Sequence, residues 1–171
     1  MFEKAAKFSV LCLAGGFGTR VKHILKNTPK PLAQIMGKPF LYWLISDLKS
    51  FGADEIFLLT HFNAQEFVNF ASLISDESCN VSCVEEKHPE GTGGAILSAI
   101  KAVEIKSQNV IILNGDTFIK MDYKQLLNKL EHDIPAVMSG KFVENTSRYG
   151  TLNVDEKGML RSIKEKENDG P

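Results

Sequence analysis

Apolar positions along the chain switch repeatedly between two spacings, and the switches lay out an alternation of strands and helices. Phe8-Ser9-Val10-Leu11-Cys12-Leu13 is an almost unbroken apolar run, the pattern of a strand covered on both faces. After Pro39, a favoured first-turn residue, Leu41, Leu44, Ile45 and Leu48 keep helical spacing, and Gly52 stands where a C-terminal cap is expected. Glu55 to Leu59 reads as the second strand. Asn63 is placed to cap a helix in which Phe67, Phe70, Ala71 and Ile74 share a face. Val81 to Val84 is the third strand. A loop with Gly91, Gly93 and Gly94 then opens a helix carrying Ile96, Ala99, Ile100 and Val103. Val110-Ile111-Ile112-Leu113 is the fourth strand and ends at Asn114-Gly115-Asp116. Asp122 caps a helix through Leu130, and Pro135 to Ser139 is a further strand. Thr151 to Val154 and Met159 to Ile163 flank the turn Asp155-Glu156-Lys157-Gly158 as a hairpin.

Repeated strand–helix units imply an α/β, Rossmann-like fold. Its mixed, mainly parallel sheet is covered by helices on both faces, and the hairpin supplies a late antiparallel part. A chain of 171 residues, 43% of them apolar, suits one domain over 1–171 with a real core. No internal repeat, low-complexity tract or linker interrupts it. A formal net charge of -1 argues against nucleic acid as a partner, because phosphodiester backbones are held by a strong basic excess. The apolar run Phe8 to Ala14 is far too short to cross a bilayer, and a glycine loop rather than a cleavage site follows it. The expectation is a cytoplasmic protein without membrane attachment. The odd cysteine number (Cys12, Cys79, Cys83) and the lack of C-x-x-C fit reduced core thiols. An exposed sheet edge would invite self-association, which leaves a homo-oligomer open.

Ligands of such sheets bind outside the carboxyl ends of the strands, which directs attention to the loops after Leu13, Val84 and Leu113. The first is Leu13-Ala14-Gly15-Gly16-Phe17-Gly18-Thr19-Arg20. Its glycines let a ligand approach the backbone closely, and consecutive free N–H groups in such a turn form a concavity for anions. A tight turn with no ligand is the plain alternative. The loop is no P-loop, since no Gly-Lys-Ser/Thr follows, and Val21 occupies the third glycine position of a dinucleotide fingerprint. Arg20 and Lys30 favour the ligand. Pro29 and Pro31 restrict the backbone around Lys30, so an arginine fork and a preset lysine stand beside the anion cradle, a combination suited to a polyphosphate. Asp116, at the carboxyl end of the fourth strand, is a natural Mg²⁺ ligand, because Mg²⁺ favours one or two carboxylates together with phosphate oxygens and water.

Taken together, L-A-G-G-F-G-T-R and P-K-P-L resemble the signature of the sugar-phosphate nucleotidylyltransferases. E-G-T-G-G-A, N-G-D-T, R-Y-G and a later E-K pair follow in that family's order. The resemblance runs from Phe8 to Lys166, closest to the branch of heptose and mannose 1-phosphate guanylyltransferases. It implies a fold of the nucleotide-diphospho-sugar transferase type, Mg²⁺ as cofactor, and a nucleoside triphosphate and a sugar 1-phosphate as substrates. Nucleotide binding would fall to Leu13, Ala14, Gly15, Gly16, Gly18, Thr19, Glu86, Gly91 and Thr92. Arg20 would neutralise departing pyrophosphate, Lys30 would contact the phosphate at the reacting phosphorus, and Asp116 would hold the metal. Asn114, Gly150, Glu165 and Lys166 would serve the sugar phosphate. A carboxylate at Glu86, the position that reads the base, suits guanine, whose N1–H and N2 amino group are adjacent donors. Uracil and thymine offer one donor between two acceptors and suit an amide better.

The family pattern continues past Pro171 with an N-x-G strand and a second metal aspartate, so the chain is expected to lack the family's C-terminal part. Asp122 is a carboxylate within the chain that could stand in for that aspartate. The rival readings are a non-catalytic nucleotide sensor, a molybdopterin or cytidylyl transferase, and a dinucleotide-binding oxidoreductase. The four histidines show no metal or triad spacing and read as structural or surface residues.

Overall fold

The computed structural model describes residues 7–16, 18, 21–88, 90–130, 133–147 and 149–164. Two compact units divide the chain, 1–127 and 128–171.

In the first unit, β1 (Phe8–Leu13) leads into a short helix α1 (Lys22–Leu25), a single 3-10 turn (Lys30–Leu32) and a small hairpin of β2 (Gln34–Ile35) and β3 (Lys38–Pro39). Then come α2 (Phe40–Phe51), β4 (Ala53–Thr60), α3 (Ala64–Ile74), β5 (Asn80–Glu85), α4 (Gly91–Ala102), β6 (Val110–Asn114) and α5 (Tyr123–Leu127). The four long strands form one all-parallel sheet in the order β5-β4-β1-β6. Register runs Val10 beside Ile56 and Ile111, and Leu13 beside Leu59 and Asn114.

The chain steps outward from β1 to β4 to β5, then returns past β1 to β6. Right-handed crossovers therefore place α2 and α3 on one face and α4 on the other. Side chains agree. Leu11, Phe57 and Leu59 pack with Ala95 and Ala99 of α4. Strand neighbours point to opposite faces, so Phe8 lies on the other side. There Tyr123 meets both Phe8 and Phe51, which sets α2 and α5 against that face. Leu41, Leu44, Ile45 and Leu48 of α2 are buried, as their spacing requires. The reversal of direction falls between β1 and β6, and their carboxyl ends open a crevice there.

A buried polar pair stands toward the opposite end of the sheet. Ser9 Oγ donates to Glu55 Oε2 at 3.0 Å, and the same oxygen accepts Lys106 N–H at 3.2 Å. Lys106 Nζ lies 3.5 Å from Oε1 of this buried carboxylate, so a charge inside the sheet keeps both oxygens engaged.

Helix α2 ends at Gly52, whose φ of 106° lies in the left-handed region and whose N–H reaches the carbonyls of Leu48 and Lys49. A Cβ is strained at that angle. Gly52→Ala is expected to cost about 1 kcal/mol, read as a lower denaturant midpoint at unchanged slope.

The second unit contributes β7 (Thr151–Val154) and β8 (Leu160–Lys164), an antiparallel pair in a two-stranded sheet of its own. Asp155 Oδ1 accepts the N–H groups of Lys157 and Met159 at 2.9 Å and closes the turn.

The parallel sheet with its helices and the late antiparallel hairpin are as expected; among the described residues the main sheet is wholly parallel and the hairpins form sheets of their own. Other expectations need correction. Ile134 forms only a bridge, and Pro135 to Ser139 is not a strand; Pro135 has no N–H to give a ladder. Asp122 does cap α5, accepting Lys124 N–H at 2.9 Å, but the helix stops at Leu127 rather than Leu130. Asn63 adopts φ 55° and makes no side-chain cap. Its amide donates instead to the Asn27 carbonyl at 2.6 Å. Helix α4 begins at Gly91 itself, and Ile100 is half exposed while Ala95 and Ala99 face the sheet.

Candidate active site

The first strand ends at Leu13 between two neighbours that continue its alignment. Ala14 N–H donates to Leu59 O at 2.8 Å, and Gly115 N–H donates to Leu13 O at 2.8 Å. These bonds hold the glycine turn and the Asn114-Gly115-Asp116 segment side by side across the switch point. A cavity of about 360 Å³ opens there. Its walls bring together Leu13, Ala14, Gly15, Gly16, Gly18, Lys30, Glu86, Gly91, Thr92, Asn114 and Asp116. Candidates from three separate loops thus share one cavity.

Lys30 enters through the 3-10 turn that Pro29 and Pro31 delimit, with Leu32 N–H bonded to Pro29 O at 2.8 Å. Its Nζ lies 2.7 Å from Asp116 Oδ2, and both side chains are partly exposed, 44% and 38%. Thr117 Oγ1 donates to the other Asp116 oxygen at 3.2 Å. A cation and an anion therefore meet on one wall, where a metal–phosphate pair would find a partner for each member.

Glu86 leaves the end of β5. Its N–H donates to Thr60 O at 2.8 Å, and its carbonyl lies 2.9 Å from His61 Nδ1. Glu86 Oε1 is buried without a hydrogen-bond partner among the described residues. A buried carboxylate oxygen left so is costly unless a ligand donor reaches it. Gly15 makes this approach possible: a Cβ there would sit 3.2 Å from His61 N and 3.3 Å from Glu86 Oε2.

Among the described residues Asp116, the metal ligand expected from the sequence, lines the cavity. Among the described residues no cluster of three or more His, Cys, Asp or Glu forms a metal cage. One carboxylate beside room for phosphate oxygens and water still fits the donor set that Mg²⁺ uses. Asp122 is occupied with capping α5.

Thr19, Arg20, Glu165 and Lys166 lie outside the described residues, and so does Arg148 of the R-Y-G motif. Gly150 belongs to the second unit, where it precedes β7. His61, Leu59, Pro31 and Ala95 also line the cavity, none of them a site residue expected from the sequence, where the histidines read as structural or surface residues. The signal for His61 is its place, directly after the carboxyl end of β4.

Burial pushes the Cys12 thiol up to about 12, with the Asp116 charge adding to the effect. Cys79 and Cys83 are raised to about 11, chiefly by burial. All three cysteines are free.

Residues 9–170 match the nucleotidyl transferase family model. The chain belongs to the nucleotidyl transferase family. Its relatives place it among the sugar-1-phosphate nucleotidylyltransferases. It is 37% identical over 158 residues to D-glycero-alpha-D-manno-heptose 1-phosphate guanylyltransferase of Campylobacter jejuni, a match covering 91% of this chain and 67% of that protein. It is 29% identical to probable mannose-1-phosphate guanylyltransferase 3 of Oryza sativa, with 91% of this chain and 44% of that one covered. The crystal structure of HddC from Yersinia pseudotuberculosis superposes with a TM-score of 0.77 at 39% identity, over 92% of this chain and 69% of that chain. The same protein complexed with GMP-PN gives 0.75 at the same identity and coverage. The chain thus spans about two thirds of the heptose relatives' length and under half of the mannose ones. No helix among the described residues is long and apolar enough to cross a membrane.

Proposed function

We propose that this chain carries the nucleotide half of a guanylyltransferase that moves GMP from GTP onto a heptose or mannose 1-phosphate. The observation that carries the reading is the shared cavity. The glycine turn, Lys30, Asp116 and Glu86 all line it.

The reaction is a direct in-line displacement. A phosphate oxygen of the sugar 1-phosphate forms a bond to the α-phosphorus of GTP as the bond to the bridging oxygen breaks. Pyrophosphate leaves, and the sugar nucleotide remains. No side chain is covalently modified. The chain's residues act by orientation and by balancing charge. Backbone N–H groups of Gly15, Gly16 and Gly18 face the phosphates. Lys30 approaches the α-phosphate, and Arg20 neutralises pyrophosphate. Glu86 accepts N1–H and the amino group of guanine, while the backbone at Gly91 and Thr92 completes the nucleoside pocket. Asn114, Gly150, Glu165 and Lys166 serve the sugar phosphate. Asp116 holds Mg²⁺, which when bound supplies positive charge to the phosphate oxygens. The three free thiols, two of them buried, fit a reducing cytoplasm.

The test is a thermal-shift screen of GTP, UTP, dTTP, CTP and ATP with Mg²⁺, repeated with each sugar phosphate. GTP is expected to raise Tm most, and the preferred sugar phosphate to add to it. Pyrophosphate release is then measured for the best pair. A larger shift with UTP, dTTP or CTP would overturn the base assignment. Stabilisation by GTP without turnover would leave a nucleotide-binding module in place of an enzyme.

A further inference from the structure

We propose that His61 is a positioning residue for base selection, holding the main chain of Glu86 so that its carboxylate keeps its aim. The inference rests on the base-reading role given above to Glu86.

Glu86 is the first residue beyond β5, and Lys87 and His88 after it are exposed. Nothing in the sheet ladder therefore fixes its carbonyl. Two bonds tie the residue down instead, both to the end of β4. Its N–H donates to Thr60 O at 2.8 Å, and its carbonyl accepts from His61 Nδ1 at 2.9 Å. A carbonyl can only accept, so Nδ1 carries the proton. The peptide planes before and after Glu86 are thereby each held by one bond. The carboxylate beyond that Cα has one oxygen beside Gly15 and the other buried with no partner among the described residues. A carboxylate that must accept two adjacent donors needs such fixed placement, since a rotated peptide would swing it off both. Among the described residues no hydrogen bond reaches Oε1.

The removal of one such backbone bond converts to roughly a three- to tenfold effect on a binding constant. The experiment is calorimetric binding of GTP and of UTP with Mg²⁺, compared as a ratio of Kd values, with Tm recorded for every variant. His61→Phe keeps the ring shape and removes the donor. It is expected to reduce the GTP preference by that factor, through weaker GTP binding. His61→Asn places an amide N–H near the lost Nδ1 and is expected to restore the ratio. In a Glu86→Gln background, His61→Phe should change the ratio no further, because the group it aims is gone. If His61→Phe does not fold, His61→Leu is read in its place.

An unchanged ratio in His61→Phe, with Glu86→Gln still collapsing it, would overturn the positioning role alone. Failure of His61→Asn to rescue would do so too, and would point to direct ligand contact by the second ring nitrogen. An unchanged ratio in Glu86→Gln would overturn the base-reading role, and the inference with it.

Discussion

Asp116→Ala is expected to lower turnover about 10²–10³-fold while leaving the fold in place. Few structural bonds depend on this carboxylate. It is 38% exposed, its ion pair with Lys30 stands at the cavity wall, and its other side-chain hydrogen bond among the described residues is to the Thr117 hydroxyl. An exposed pair of this kind adds little to stability. Its worth lies in the reacting complex, where charge builds on the phosphate oxygens and a missing ligand or cation is uncompensated. Lys30→Ala should fall by a similar factor for the complementary reason. Pyrophosphate release from GTP and the sugar phosphate, measured beside Tm in the longest natural form of the protein, separates the two effects. Near wild-type turnover in both variants would refute the assignment.

Glu86→Gln carries the second large effect. The two guanine donors meet two carboxylate oxygens, and a hydrogen bond to a charged group is worth about 1.5–3 kcal/mol. Losing that charge should weaken GTP binding by roughly tenfold to a hundredfold. UTP should lose little, since an amide suits its donor–acceptor edge. Gln is nearly the same size, and the Glu86 main chain keeps its bonds to Thr60 and His61, so folding should be spared. Equal losses for GTP and UTP would show a collapsed pocket rather than altered base reading.

How much of this was legible in the sequence depends on what signal each part sends. The four parallel strands and the buried stripe of α2 were readable because continuous and periodic burial dictates residue type directly. The meeting of Lys30 and Asp116, 86 positions apart, was foreseeable only through the rule that ligands gather at strand carboxyl ends. His61 escaped because its contribution is a single ring N–H aimed at a distant carbonyl, and no spacing records such a bond. Pro135 to Ser139 misled for the opposite reason. Its composition suits a strand, but a strand exists only through a partner. Asn63 was read as a cap from residue type, yet its amide serves the loop at Asn27.

The three raised thiols have a practical consequence. With values of about 11 to 12, almost none of the three thiols is present as nucleophilic thiolate at neutral pH. Alkylating dyes should pass the native protein by. A single cysteine installed at Met36, which is 88% exposed at the tip of the small hairpin, would then be the one fast-reacting handle. A fluorophore attached there could report nucleotide engagement with no native cysteine removed.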